Sequence, residues 1–144
     1  YASVPKANLD PEKYAKHLLY EGDVIVSRSG TCGLTGVYVD QDTHFVAGAF
    51  TIRIRLNHEM DSNYLKELIN GSTGVRFIQS IMAGGVQKNI TSKNLLKMPV
   101  PNIPLDEQKE LVRLISSIRE KMDEITRNNI LANELRKILV NSII

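Results

Sequence analysis

The stretch GGVQKNITSKNLLKMPVPNIPLDEQ, running from Gly84 to Gln108, divides the chain into two kinds of structure. It opens on Gly84-Gly85, which stop a helix by tolerating left-handed backbone. It closes on Pro99, Pro101 and Pro104, which forbid a regular helix and leave an extended connector. Upstream lie glycine-punctuated, β-like segments and two short helices. Downstream, no Pro or Gly occurs from Asp106 to Ile144, so a single helix of nearly 40 residues is expected. The expected class is α+β: a mixed domain over residues 1–104, then a long helix over 105–144.

Within the domain, Asp10-Pro11 marks a helix start, with Asp10 as cap and Pro11 at the first helical position. Tyr14, Leu18 and Leu19 then face the core. Val24 to Arg28 is rich in β-branched residues and reads as a strand between Gly22 and Gly30. The loop Ser29-Gly30-Thr31-Cys32-Gly33 lacks the Gly-Lys-Ser/Thr ending of a phosphate loop, so a tight strand connection is expected. Gly36 to Val39 and Phe45 to Leu56 are the next strands. In the latter Arg53 and Arg55 share a polar face, open either to solvent or to DNA. Asn63 to Ile69 and Gly74 to Met82 read as helices capped from Asp61, Ser62 or Ser72, with Val75, Ile78 and Met82 on the core face of the second. Ser92 can cap a brief turn through Leu96.

The long helix needs a partner. Leu111, Ile115, Ile118, Met122, Ile125, Asn129 and Ala132 recur at alternating spacings of four and three, the seam of a coiled coil. After Asn129 the apolar stripe moves to Leu131, Leu135, Ile138 and Leu139, so the packing must shift locally.

Charge is unevenly spread. Residues 1–56 carry six Lys/Arg against six Asp/Glu, and residues 105–144 carry seven against seven, so the net +2 lies between. No acidic residue occurs from Leu68 to Leu105, where Arg76, Lys88, Lys93 and Lys97 are all found. Such a surface approaches a phosphate backbone without like-charge repulsion. Gln87 and Asn89 add side chains that can read adenine, and Lys88 one that can contact guanine or phosphate. The same residue types occur in many ordinary loops.

Catalytic signals are missing. His17, His44 and His58 are dispersed and show no zinc spacing with the lone Cys32, which reads as a small buried or loop residue. There is no Walker motif and no Asn-Pro-Pro-aromatic motif of amino-methyltransferases. Glu107-Gln108-Lys109 has the Glu-x-Lys form of some nuclease sites, but no suitable upstream Asp in a strand accompanies it. Neither a cofactor nor a bound metal is expected. No apolar run approaches the roughly 20 residues of a membrane span, and a cytoplasmic protein is expected.

Three pieces, in this order and spacing, resemble the specificity subunit of type I restriction-modification systems. They are Gly22-Asp23-Val24-Ile25-Val26-Ser27-Arg28-Ser29-Gly30, Gly85-Val86-Gln87-Lys88-Asn89-Ile90, and Pro99-Val100-Pro101 through Pro104-Leu105-Asp106-Glu107-Gln108-Lys109. The resemblance implies a non-catalytic, DNA-reading domain followed by a helix that spaces two half-sites. Its partners would be double-stranded DNA, the methyltransferase and restriction subunits, and a second copy or a second half of the same kind. A complete subunit of the family has two such units. This chain has one, and it lacks the β portion that usually precedes the Gly-Asp strand, so it is expected to be a natural half-subunit or a piece of a larger one. On this reading the candidate DNA contacts are Arg28, Ser29, Arg53, Arg76, Gln87, Lys88, Asn89 and Lys93. The pairing residues are Leu111, Ile115, Ile118, Met122, Ile125, Asn129, Leu135 and Leu139, and the prolines set the angle of the helix. A coiled-coil adaptor without DNA binding explains the helix, yet not the acid-free stretch.

Overall fold

A computed structural model describes residues 8, 10–83 and 88–143. The first helix, α1 (Pro11–Tyr14), begins as its sequence dictates: the amide of Glu12 donates to Asp10 Oδ1 at 3.0 Å. A 3-10 turn (Ala15–His17) follows it. Three strands then form, β1 (Val24–Ser27), β2 (Thr35–Val37) and β3 (Thr51–Ile54), in the antiparallel order β2-β1-β3. The register pairs Val26 with Thr35 on one side and with Ile52 on the other.

The β2 and β3 strands are both shorter than expected. The run from Phe45 to Phe50 alternates like a strand, but a turn at Gly48, whose carbonyl accepts from the amide of Thr51 at 3.1 Å, breaks it. Only Val46 pairs, through an isolated bridge to Leu18.

One face of the sheet is covered by α2 (Ser62–Asn70), α3 (Ser72–Ile81) and α4 (Ser92–Leu95). The core is Val24, Val26, Ile52, Leu65, Ile69, Ile78, Ile90 and Leu95, all apolar residues at the inward positions of their elements. Asp61 caps α2 as expected, its Oδ1 accepting from the amide of Tyr64 at 3.0 Å. Ser62 lies inside that helix, and its hydroxyl donates to the carbonyl of Gly22. The start of α3 has no side-chain cap from Ser72. Gly71 precedes it, and the helix begins against the end of α2 so closely that a Cβ on Gly74 would lie 2.2 Å from the Leu68 carbonyl oxygen. Val75, expected inside, is exposed because that first turn meets α2 through Gly74. Thr91, one residue before the expected Ser92, caps α4. The stop at Gly84-Gly85 lies outside the described residues.

The long helix α5 (Leu105–Ile143) has 39 residues and is roughly 58 Å long at about 1.5 Å per residue. Its first turns are tied to the domain. Gln108 is 1% exposed. Its Oε1 accepts from the amide of Asp61 at 2.8 Å, and its Nε2 donates to the carbonyls of Glu59 and Ile103, each at 2.9 Å. Three turns on, Arg119 grips Glu67 of α2 with both guanidinium nitrogens, at 2.8 and 3.2 Å. These hydrogen bonds, with Lys66 helping, outweigh burial and hold the Glu67 carboxyl below its ordinary pKa. Gln108 and Arg119 therefore tie α5 to the domain at two points. Ile115, on the expected seam, is half-buried on the same side as Gln108, whereas Ile118, Met122 and Ile125 are exposed.

At the start of β1, Asp23 is 2% exposed and is held by Arg55, whose Nε and Nη2 donate to its two carboxylate oxygens at 2.8 and 2.7 Å. The guanidinium of Arg55 also lies over the ring of Tyr20, 4.4 Å from its centroid. Burial pushes the Asp23 carboxyl up, but the hydrogen bonds from Arg55 and the Tyr20 amide and the charges of Arg55 and Arg53 more than reverse this. Its pKa therefore lies below the ordinary value.

Replacing Gln108 with Leu leaves the Asp61 amide and the Glu59 and Ile103 carbonyls without their partner. It should destabilise the domain by roughly 1–3 kcal/mol in urea unfolding; wild-type stability would show that the contact carries no weight. Asp23, with its depressed native pKa, contributes stability that is present above the unfolded value near pH 4 and is lost as pH falls through the native value. Asp23→Asn should lower stability at pH 7 and flatten the acid limb of the stability–pH curve; an unchanged acid limb would remove Asp23 from that role.

Candidate nucleic-acid interface

The C-terminal end of β1 gathers segments that are far apart in sequence. The amide of Ser27 donates to the Leu34 carbonyl at 2.9 Å, and the amide of Arg28 donates to the Phe50 carbonyl at 2.9 Å. Beyond them the 88–90 segment joins: the amide of Ile90 donates to the Arg28 carbonyl at 3.0 Å, and Ser29 bridges to Asn89. Asn89 in turn exchanges both backbone bonds with Ala83, at 3.0 and 2.9 Å, just past the end of α3. Ile90, fully buried, anchors this segment in the core.

The Ser29–Leu34 loop is a tight connection, as its glycines suggest. Gly30 and Gly33 have φ of 71° and 91°, a region other residues rarely adopt. At Gly33 a Cβ would also lie 2.8 Å from Ile78 Cγ2, so the loop can pack on α3 only with glycine there. The Ser27 hydroxyl accepts from the amide of Leu34 at 3.0 Å, closing the loop from within. Cys32, half-buried in the loop, points its thiol at the carbonyls of Arg28 and Lys88, at 3.1 and 3.3 Å, and so links the two segments.

The candidates do not all fall in one place. Arg28, Ser29, Lys88 and Asn89 are brought together at this end of β1, with the Ser29 hydroxyl bonded to the Asn89 side chain. Lys88 is exposed. Arg76 is exposed on α3, where its Nη2 donates to Thr73 Oγ1 at 3.3 Å, and Lys93 is exposed on α4, which packs against α3. Arg53 sits apart, paired with Ile25 in mid-sheet and donating to the Leu18 carbonyl. Gln87 lies outside the described residues.

Charge separates the two ends of the sheet. Segments 27–35, 47–52 and 88–93, which meet at the C-terminal end of β1, contain no Asp or Glu. At the opposite end Glu21, Asp40 and Asp42 are exposed, with the amide of Asp40 bonded to the Glu21 carboxylate, while Asp23 is buried and paired with Arg55. A polyanion therefore meets attraction at one end and repulsion at the other. Among the described residues no cluster of His, Cys, Asp or Glu is placed to hold a metal ion, and no helix is long and apolar enough to cross a membrane.

The residue types were legible in the sequence, but their convergence was not. Arg28 and Lys88 are brought together by tertiary contacts, the Ile90–Arg28 and Cys32–Lys88 bonds and the Ser29–Asn89 bridge. No curated protein matches the chain. The model of the type I restriction modification DNA specificity domain matches residues 1–134, from before α1 to well along α5. Since that match takes in the whole sheet, the connector and most of the long helix, the chain belongs to the type I restriction-modification DNA specificity family, whose domains serve DNA recognition rather than catalysis.

Proposed function

We propose that this domain reads one half of a bipartite DNA site with the C-terminal end of β1, while α5 holds it at a set distance from the second half. The observation that carries the reading is the charge separation along the sheet. Arg28, Lys88, Arg76 and Lys93 supply cations for phosphate and base edges, and the Ser29–Asn89 pair keeps Lys88 beside Arg28. Arg53, occupied by the Leu18 carbonyl, is assigned to the fold. Gln87, next to Lys88 in the chain, keeps its assignment as a base-reading candidate. The complex would work in the cytoplasm, where its DNA lies.

The exposed apolar residues of α5 support a helical partner. Leu111, Ile118, Met122 and Ile125 are each at least 41% exposed, and Leu131, Leu135 and Ile138 are exposed farther along. A stripe this long on a single rod suits a second α-helix, either from another copy or from the equivalent half. The same helical region is assigned to docking of the methyltransferase subunits, with the restriction subunits joining the complex. An adaptor that binds protein alone would use this stripe too, but would have no need of the carboxylate-free sheet end.

Lys88→Ala should weaken binding to all duplexes and reduce the slope of log affinity against log salt by about one. Duplexes of every sequence binding equally weakly, whatever the salt, would defeat the DNA-reading proposal. Ile118→Asp should convert a self-associating chain to a monomer in sedimentation equilibrium. A wild-type chain that stays monomeric at high micromolar concentration would exclude self-pairing.

A further inference from the structure

Two large apolar side chains stand uncovered at the reading end of the sheet. Leu34 is 70% exposed and Phe50 is 68% exposed. Scattered exposed apolar residues are ordinary on any surface, so their place is what matters. Leu34 lies beside Ser27 on the β2 side of β1, and Phe50 lies beside Arg28 on the β3 side, each fixed through its own carbonyl by a 2.9 Å hydrogen bond. With neighbouring strands about 4.8 Å apart, their backbones are roughly 10 Å from each other, and because they oppose consecutive residues of β1 their side chains flank the end of that strand from opposite faces of the sheet.

The chain has three Phe residues. Phe45 packs on Tyr38 with ring centroids 6.0 Å apart, and Phe77 is half-buried on α3. Phe50 alone is exposed, and it stands beside Arg28. The fold restrains the backbone at both positions and buries neither side chain. A protein partner would find each of these apolar side chains beside cations with no carboxylate nearby. Duplex DNA presents the matching combination, phosphates for Arg28 and Lys88 and, in the major groove, the apolar C5-methyl of thymine.

We propose that Leu34 and Phe50 are specificity-determining residues that contact thymine methyl groups in the major groove, on either side of the positions reached by Arg28 and Lys88. This rests on the DNA-reading assignment of the sheet end and adds the base chemistry that end selects. Removing a contacted methyl forfeits the burial of one carbon, worth about 0.8 kcal/mol or about fourfold in affinity.

The test uses the full chain and a pool of short duplexes with a randomised centre. After selection, each thymine of the enriched duplex is replaced in turn by deoxyuridine, which lacks only the methyl group. Wild-type protein should lose about fourfold in affinity at the thymines it touches. Leu34→Ala and Phe50→Ala should each bind the thymine duplex more weakly and become indifferent to deoxyuridine at one of those positions. Their salt slopes and thermal midpoints should stay at wild-type values, since neither side chain is charged or buried. Enrichment followed by indifference of the wild-type protein to every deoxyuridine would overturn this inference and leave the DNA-reading assignment standing. So would alanine variants that keep the wild-type sensitivity. Failure of the wild-type chain to enrich any sequence would overturn both.

Discussion

The Gln108 side chain joins the two parts of the molecule. A glutamine amide has one acceptor and two donors in a plane, and here the oxygen takes the amide that opens α2 while the nitrogen serves two carbonyls, Glu59 just before α2 and Ile103 within the connector. Each of those backbone groups sits in a part-buried place where losing its partner is costly. The connector Pro99–Pro104 cannot supply such fixation, because proline has no N–H to donate and restricts only its own and its neighbour's dihedrals. The bidentate Arg119–Glu67 pair adds a second fixed point farther along α5. Two fixed points define a direction, so the helix leaves the domain as a lever rather than as a tethered rod.

That lever matters because the rest of the domain is polarised along β1. One end of the strand carries the buried Asp23–Arg55 pair and the acidic side chains around it; the other carries Arg28, Lys88 and loops without carboxylates. The sheet core of Val24, Val26 and Ile52 separates the two ends with apolar packing, which holds their opposite charges apart. A surface of this kind can orient a polyanion without a large net charge, and the chain carries only +2 overall.

Much of this was legible in the residues. The valines of β1 lie between Gly22 and Gly30, and the absence of Pro and Gly after Leu105 announces α5, because both signals are local backbone chemistry. Asp10 and Asp61 likewise reveal themselves as caps. What stayed hidden depends on tertiary partners. Gln108 reads as one more polar residue in a charged first turn until the Asp61 amide is seen against it. Arg53 and Arg55 share a strand period that suits an open face, yet Arg53 is held by a carbonyl and Arg55 by a carboxylate. The apolar alternation from Phe45 onward suggests a long strand, and only the turn at Gly48 shows that it is two pieces. Leu34 and Phe50 are unremarkable in sequence because nothing local says that they will be left uncovered.

The central claim is that the C-terminal end of β1 faces DNA while the opposite end faces away, and site-directed photo-crosslinking tests it most directly. A photoreactive amino acid would replace Thr31, in the loop beside Arg28, or Gln41, between Asp40 and Asp42; both positions are exposed. With the full chain on an enriched duplex, the account predicts efficient crosslinking from position 31 and none above background from position 41. Crosslinking from position 41 with none from position 31 would place DNA on the acidic end and contradict the account.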